Sequence, residues 1–268
     1  MKIYFIIGDE PIFHPWYVAR VVQGIHRREW SDVKVVGITV LPPATKKDGL
    51  ARYLKKQWEF FGPSAFFRFA AEHAWNIFLG RITVFAPFLR PRTLVAVATH
   101  FKIPYVEYQR VNDRQHLEYL KVLAPDVIIS SSGQLFKAEL LALPTIACIN
   151  RHSSLLPKYG GVWPIFWAML HGEREVGASI HLMADRFDNG DVISQRAIPI
   201  TSKDTFRSLY GKAYATSADV TLEALSKLRE DSELAKSVVV KYSSDLASYY
   251  SFPTKEDAKR FRRSSTFF

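Results

Sequence analysis

The sequence is poor in cysteine, since Cys148 is the single one in 268 residues. One cysteine excludes an intrachain disulfide framework and a zinc site built from several cysteines. No uninterrupted apolar run approaches the roughly 20 residues that a membrane-spanning helix needs. The opening MKIYFIIGDE lacks the long apolar core of a signal peptide, so it predicts a first β-strand and a cytoplasmic protein.

Several common catalytic motifs are also missing. The residues after the first predicted strand, Gly8-Asp9-Glu10-Pro11, match neither the GxGxxG pattern of dinucleotide-binding loops nor a Walker phosphate loop. No serine stands in a GxSxG motif and no HExxH motif occurs. These absences disfavour a nucleotide-dependent redox enzyme, a serine hydrolase of the α/β type and a zinc protease.

The chain has the composition of a globular protein, with 48% hydrophobic and 23% charged residues. Short apolar runs alternate with amphipathic stretches, which is typical of a parallel sheet covered by helices on both faces. The predicted strands cover residues 2–7, 33–40, 126–130, 146–150, 178–183 and 192–200. The predicted helices cover residues 16–26, 116–122, 137–142 and 205–229, with Asn112 as the cap of the second. We therefore predict a Rossmann-like α/β domain with a twisted, mainly parallel sheet over residues 1–230, followed by a C-terminal extension over residues 231–268.

Residues 42–91 interrupt this alternation with a segment rich in aromatic side chains. Arg68, Glu72 and Asn76 recur every fourth residue and form one polar stripe of a predicted helix. The rest of that helix is apolar, which predicts burial on several sides. We interpret the segment as a helical insertion that packs on the domain or forms an interface between copies of the chain. An alternative is contact with a membrane surface, using the basic residues of 46–56.

The formal net charge of +10 is concentrated in two segments. Residues 44–92 carry nine basic against three acidic residues, and residues 254–268 carry five against two, so the remainder is close to neutral. Such segments attract phosphate, an acidic partner or anionic lipid within a Debye length of about 8 Å. The alternative is a solvated basic surface, and we expect no DNA partner.

Polar side chains suited to catalysis are concentrated in residues 146–191. Asn150 ends a predicted strand and His152 follows two residues later, so both side chains point into one space at the carboxyl edge of the sheet. Asp188 lies in an acidic turn between two predicted strands. An amide donor, an imidazole and a carboxylate together can stabilise an oxyanion and move protons. Taken one at a time, such residues are more often turn formers or structural groups.

The order of these residues resembles the folate-dependent formyltransferases, the family that includes glycinamide ribonucleotide, methionyl-tRNA and sugar N-formyltransferases. The similarity covers about residues 125–199. Its motif reads Asn150-x-His152-x-Ser154-Leu155-Leu156-Pro157, followed by Asp185-x-x-Asp188-x-Gly190-Asp191.

The resemblance implies transfer of a formyl group from 10-formyltetrahydrofolate to a primary amine, with no metal ion. It assigns to Asn150 a hydrogen bond to the developing oxyanion. It assigns to His152 a share of that stabilisation and the movement of the amine proton, and to Asp188 the control of the protonation state of His152.

The resemblance also implies a binding site for the pterin ring of the folate. The backbone of the loop would receive the ring, and the turn before Asp188 would close the other side. The residues implied are Gly133, Gln134, Leu135, Phe136 and Asp185.

The acceptor predicted is a small amine, most directly an amino sugar carried on a nucleotide. Arg151, where relatives often carry an apolar residue, and Lys158 are the predicted cations for its diphosphate. About 40 residues follow the last predicted helix, fewer than the tRNA-binding barrel of methionyl-tRNA formyltransferases requires, so we expect no tRNA partner. The alternatives are another small amine, methionyl-tRNA, hydrolysis of 10-formyltetrahydrofolate, or a folate-binding protein without catalytic activity.

Overall fold

The computed structural model describes residues 1–10, 12–42, 50–85, 91–184, 186–231, 241 and 243–263. Its strands are β1 (Lys2–Gly8), β2 (Lys34–Leu41), β3 (Tyr105–Glu107), β4 (Val127–Ser131), β5 (Ala147–His152), β6 (Gly160–Gly161), β7 (Glu175–Leu182), β8 (Val192–Pro199) and β9 (Tyr249–Tyr250). Its helices are α1 (His14–Arg27), α2 (Leu50–Phe61), α3 (Pro63–Phe85), α4 (Leu94–Phe101), α5 (Arg114–Leu123), α6 (Ala138–Leu141), α7 (Pro164–Leu170), α8 (Phe206–Glu230) and α9 (Lys255–Arg263).

Seven strands form one sheet in the order β3-β2-β1-β4-β5-β7-β8. The first five in this order are parallel, whereas β7 pairs antiparallel with β5 and β8 antiparallel with β7. β6 and β9 pair in parallel as a separate two-stranded sheet. The predicted α/β fold with a mainly parallel sheet is confirmed.

Helices cover both faces of this sheet because its central strands are apolar on both sides. Ile3, Phe5 and Ile7 of β1 pack in the larger core cluster with α1, α4, α7 and α8. The alternate residues Tyr4 and Ile6 pack in the second cluster with α5 and α6. The strict alternation along β1 follows from the two-residue repeat of a strand.

Several predicted boundaries differ from the structure, among them the start of β7, which lies at Glu175 instead of residue 178. β5 continues through His152 instead of ending at Asn150, because His152 is paired with Ser179 of the antiparallel β7. Asn112 does not cap α5, whose N-cap is Asp113. The Asn112 amide instead donates to the Leu135 carbonyl and its oxygen accepts the Lys137 N–H, so Asn112 tethers the loop after β4.

The aromatic segment forms α2 and α3, and α3 differs from the expectation of burial on several sides. The predicted polar stripe turns toward the domain at two positions, because Glu72 pairs with Arg207 of α8 and Asn76 accepts a hydrogen bond from Arg92. The opposite side of α3 is apolar and open to solvent, as Phe67, Trp75 and Phe78 are 62%, 57% and 54% exposed. Arginine side chains from other parts of the chain bind the polar stripe of α3, so the stripe faces the domain and the apolar side faces solvent.

The segment after α8 returns to the domain. β9 pairs with β6, and Lys255 and Arg262 of α9 bond to Glu59 and to the carbonyls of Glu59 and Phe60 on α2. No helix in the part of the chain that the structure describes is both long and apolar enough to cross a membrane. Asp185, Lys46 and Lys47, which the sequence singled out, lie outside the described residues.

Candidate active site

Asn150, His152 and Asp188 meet at the carboxyl end of β5. The Asn150 amide nitrogen lies 3.4 Å from Asp188 Oδ1, and His152 Nδ1 lies 3.5 Å from the same oxygen. β5 positions the first two side chains on one face, since they are two residues apart on a strand. The loop between β7 and β8 supplies the third. The structure therefore brings these three residues together, and their catalytic roles stay predictions.

Asp188 is held in place by the backbone as well as by its neighbours. Its φ is +52°, a left-handed conformation that costs a non-glycine residue free energy and is concentrated at functional sites. Its Oδ2 accepts the Gly161 N–H at 2.8 Å. Burial raises the pKa of this carboxyl. The facing His152 and His181 and the Gly161 N–H lower the pKa by more than burial raises it, so it lies well below the usual value. Asp188 is thus an ionised carboxylate facing two imidazoles.

The two ring nitrogens of His152 have different roles. Nε2 lies 2.8 Å from the Tyr159 carbonyl, which can only accept, so Nε2 carries the hydrogen. Burial lowers the pKa of His152, an effect that exceeds the opposing attraction of Asp188. The imidazole is therefore neutral near pH 7, with an unprotonated Nδ1 directed toward Asp188. A proton accepted at Nδ1 would be stabilised by that carboxylate.

His181 is a fourth member of this group that the sequence analysis missed. It is 2% exposed on β7, where it is the cross-strand partner of Asn150. Its Nδ1 donates to the Leu182 carbonyl at 2.8 Å, which leaves Nε2 to accept the Asn150 amide at 3.1 Å. The antiparallel register that brings Asn150 and His181 together cannot be read from spacing along the chain, and no motif marks this histidine.

These four residues line a cavity of about 960 Å³. Of the predicted pterin-binding residues, Gly133, Gln134 and Leu135 line it, whereas Phe136 is 1% exposed and belongs to the second core cluster. The Gln134 side chain is committed elsewhere, because it accepts the Val111 N–H and donates to the Gln109 carbonyl. This loop therefore presents its backbone and Leu135 to the cavity.

The two predicted acceptor cations lie in different places. Arg151 lines the cavity, is 7% exposed and stacks on Tyr214 with its guanidinium carbon 3.8 Å from the ring centre. Its Nη2 donates to Ser153, while Nε and Nη1 have no hydrogen-bond partner among the described residues. Lys158 is exposed and lines a separate small pocket. Of the two, the structure brings only Arg151 to the cavity.

The start of α1 is occupied by a side chain of the protein itself. Glu10 accepts the backbone N–H groups of Ile12, Phe13 and His14 at 2.9, 2.7 and 3.2 Å. These are the free amides that a helix N-terminus would otherwise offer to a phosphate. A bound phosphate would have to replace Glu10 there.

The aromatic insertion and the C-terminal segment contribute walls to the same cavity. This contribution was not predicted, because it depends on how distant segments pack. The lining residues from α2, α3 and the C-terminal segment are Leu54, Gln57, Phe61, Phe66, Phe69, Ala70, His73 and Tyr249. Among the described residues, no group of three or more histidine, cysteine, aspartate or glutamate side chains is arranged to hold a metal ion.

Comparisons with known proteins identify the family. A family model described as formyl transferase matches residues 85–225, more than half of the chain. Methionyl-tRNA formyltransferase from Lysinibacillus sphaericus is 37% identical over 141 residues, which are 52% of this chain and 45% of that protein. The matched region thus spans less than half the length of that relative.

Solved structures show the same fold at low sequence identity. Phosphoribosylglycinamide formyltransferase from Anaplasma phagocytophilum matches with a TM-score of 0.60 at 15% identity, over 94% of this chain and 99% of that one. An N-formyltransferase from Helicobacter canadensis, in complex with folinic acid and dTDP-3-aminofucose, matches with a TM-score of 0.56 at 16% identity, over 97% and 79% of the two chains. With the asparagine, histidine and aspartate of its motif gathered at one cavity, this chain belongs to the formyl transferase family.

Proposed function

We propose that the protein transfers a formyl group from 10-formyltetrahydrofolate to a primary amine. The main support for this proposal is that the side chains of Asn150 and His152 both lie within 3.5 Å of the Asp188 carboxylate at one cavity. A neutral imidazole beside an ionised carboxylate can take a proton from an attacking amine. The neighbouring amide can donate to an oxygen that gains negative charge.

The cavity suits a reduced folate. Its volume lies near the top of the roughly 300–1,000 Å³ range of small-molecule sites, which leaves room for a bulky ligand. The loop at Gly133–Leu135 lies on one side and the segment with Met183 and Phe187 lines the cavity before Asp188, so both apolar surface and backbone groups are available for a ring. When bound there, 10-formyltetrahydrofolate would supply the formyl carbon.

Asn150 has to exchange a hydrogen bond during the reaction. Its amide hydrogens are directed at His181 and Asp188 in this structure. Donation to an oxyanion therefore requires one of these contacts to be released, and His181 would guide the return of the amide. His152 would accept the amine proton at Nδ1, and Asp188 would stabilise the resulting imidazolium. The imidazolium would then return a proton to the folate nitrogen as the bond between that nitrogen and the formyl carbon breaks.

We infer that the acceptor is an amino sugar carried on a nucleotide. Arg151 and Arg186 line the cavity and provide cations for a diphosphate, whereas Arg207, which also lines it, is paired with Glu72. The similar N-formyltransferase that was solved with dTDP-3-aminofucose supports this class of acceptor. Methionyl-tRNA is the second candidate, because a curated relative with that activity is 37% identical over the matched region.

An acceptor panel tests the proposal. The protein is incubated with 10-formyltetrahydrofolate and, separately, with dTDP-3-aminofucose, glycinamide ribonucleotide, methionyl-tRNA or no amine. We expect formylated dTDP-3-aminofucose by mass spectrometry and little formate without an amine. Formylation of methionyl-tRNA alone would contradict an amino-sugar acceptor and favour methionyl-tRNA. Formate release at the same rate without any amine would show that the protein hydrolyses 10-formyltetrahydrofolate instead of transferring the formyl group.

A further inference from the structure

Exposed apolar side chains are concentrated on α2 and α3. Of the fourteen large hydrophobic residues that are exposed among the described ones, seven belong to these two helices. Five of them, Trp58, Phe67, Trp75, Phe78 and Ile82, define what we name the outer face, with exposed fractions of 42%, 62%, 57%, 54% and 40%. Scattered exposed apolar residues are normal, but a contiguous group of aromatic ones marks a site of interaction.

The outer face is continuous across the two helices. Phe67, Trp75, Phe78 and Ile82 follow one another at spacings of eight, three and four residues, which places them on one side of α3. Trp58 of α2 joins them, since its ring lies 5.7 Å from that of Phe67. The side of α3 that faces the cavity carries other residues, Phe66, Phe69, Ala70 and His73. The outer face is therefore separate from the candidate active site.

The exposed charged side chains that the structure describes on α2 and α3 are basic. Lys55 and Arg68 are exposed, whereas the two acidic residues, Glu59 and Glu72, are only partly exposed. Both acidic side chains are neutralised, by Lys255 of α9 and by Arg207 of α8. The pairing of Lys255 also brings α9 against α2, and α9 carries five basic residues against two acidic ones. α9, with its excess of basic residues, thus packs against one of the two helices that form the outer face.

We propose that the outer face binds the surface of a bilayer that contains anionic lipid. Tryptophan and phenylalanine beside lysine and arginine are the side chains of helices that lie in the membrane interface. The helix cannot cross the bilayer, because α3 carries Arg68, Glu72, Asn76 and Arg81 along its length. A second copy of the chain is a less favourable partner, since two faces that each lie beside exposed basic residues repel each other.

This binding mode places the cavity close to the lipid. The two sides of α3 are separated by one helix diameter of about 10 Å, so the cavity wall that α3 forms would lie about that distance from the bilayer surface. The proposal concerns the location of the protein and is independent of which amine accepts the formyl group.

Vesicle flotation tests the proposal with the full-length chain in the absence of folate and amine. The probes are vesicles of phosphatidylcholine alone and of phosphatidylcholine mixed with phosphatidylglycerol. We expect binding to the mixed vesicles that weakens at high salt, and at least tenfold weaker partitioning to phosphatidylcholine alone. Absence of binding to the mixed vesicles, or equal binding to both compositions, would overturn the proposal.

Two double variants separate the apolar and the charged contributions. Trp75→Ser/Phe78→Ser should lower partitioning to the mixed vesicles at least tenfold, and Arg260→Glu/Arg263→Glu on exposed positions of α9 should do the same. The matched control is Val122→Ser/Leu246→Ser, which removes apolar side chains that are 85% and 64% exposed outside the outer face and should bind like the unaltered protein. Thermal unfolding midpoints establish that each variant is folded.

The competing occupant is a second copy of the chain. Analytical ultracentrifugation compares the oligomeric state of the unaltered protein with that of Trp75→Ser/Phe78→Ser. We expect no dimer of the unaltered protein that is lost in the variant. A dimer of that kind would assign the outer face to self-association. Vesicle binding by Trp75→Ser/Phe78→Ser equal to that of the unaltered protein would show that the outer face does not bind lipid, and either result would contradict the proposal.

Discussion

At the scale of single residues, the environment of His152 sets the direction of proton movement. The Tyr159 carbonyl fixes the hydrogen on Nε2, so Nδ1 is the nitrogen that can take a proton. The Asp188 carboxylate faces that nitrogen at 3.5 Å. The same carboxylate also contacts His181 and Asn150. A change at Asp188 should therefore be visible in the pH dependence of the reaction as well as in its rate.

Asp188→Asn tests this coupling. Burial lowers the pKa of His152, so the rate should fall on the acid side only below its ordinary value of about 6.5. Asp188 raises the pKa of His152, so its neutralisation should move the acid limb of kcat to still lower pH and reduce the plateau at least tenfold. The measurement is kcat from pH 5 to 8. An acid limb that stays in place or moves to higher pH would contradict the assignment.

At the scale of elements, the β7–β8 loop depends on a glycine. A Cβ on Gly190 would lie 1.7 Å from the Leu182 carbonyl oxygen, so the backbone of β7 would have to move. That carbonyl accepts the hydrogen bond that orients His181. The close packing of Gly190 against the Leu182 carbonyl therefore helps to set the orientation of His181 in the site.

Gly190→Ala should therefore lower the free energy of unfolding by about 1–3 kcal/mol and reduce kcat, because it displaces the carbonyl that orients His181. Gly211→Ala is the matched control, since a Cβ there meets nothing closer than 3.8 Å and α8 gains a better helix former. Urea unfolding and steady-state kinetics measure both. Equal stability and activity of the two variants would show that the predicted backbone contact is harmless.

The sequence predicted the sheet better than the surroundings of the site. Apolar runs placed β1, β2 and β4 within a residue or two of their observed bounds, because their burial is local information. His181 was missed because it reaches Asn150 only through an antiparallel register. The orientation of α3 was missed because Glu72 finds its partner Arg207 on α8, 135 residues along the chain. Contacts between distant segments are not encoded in the local period of the sequence.

At the scale of the whole molecule, the site joins segments from most of the chain. Tyr249 of β9 lines the cavity, and Tyr250 stacks on Tyr159 and Trp167 with ring centres 5.5 and 4.8 Å apart. His14 at the start of α1 lines the cavity and bonds to the Gly8 carbonyl and to Ser131, connecting β1 and β4. Some buried polar groups therefore contribute both to the stability of the fold and to the structure of the site.

The pH dependence of stability should reflect these buried imidazoles. Burial, assisted by the charge of Arg151, lowers the pKa of His14 to about 3, and burial also lowers the pKa of His116 and His152. Between about pH 6.5 and these lowered pKa values, the unfolded chain binds more protons than the folded protein. The stabilisation that comes from keeping these histidines neutral is therefore fully present above pH 6.5 and is lost as the pH falls. His14 alone should account for about 2 kcal/mol between pH 7 and pH 5.

Urea unfolding of the unaltered protein and of His14→Gln at pH 7 and pH 5 measures that contribution. The glutamine variant should be less stable at pH 7 but lose less free energy of unfolding on acidification, because it lacks the titrating group. An equal loss in the two proteins would show that His14 is not held neutral by the fold.

The most direct test of the formyl-transfer account is a comparison of turnover with folate binding in Asn150→Ala and His152→Asn. With 10-formyltetrahydrofolate and dTDP-3-aminofucose, each variant should lose about 100-fold or more in kcat, since each lacks a group that acts on the reacting atoms. Titration with folinic acid should give a Kd within a fewfold of the unaltered protein, because the loop at 133–135 is intact. Turnover by both variants equal to that of the unaltered protein would contradict the account.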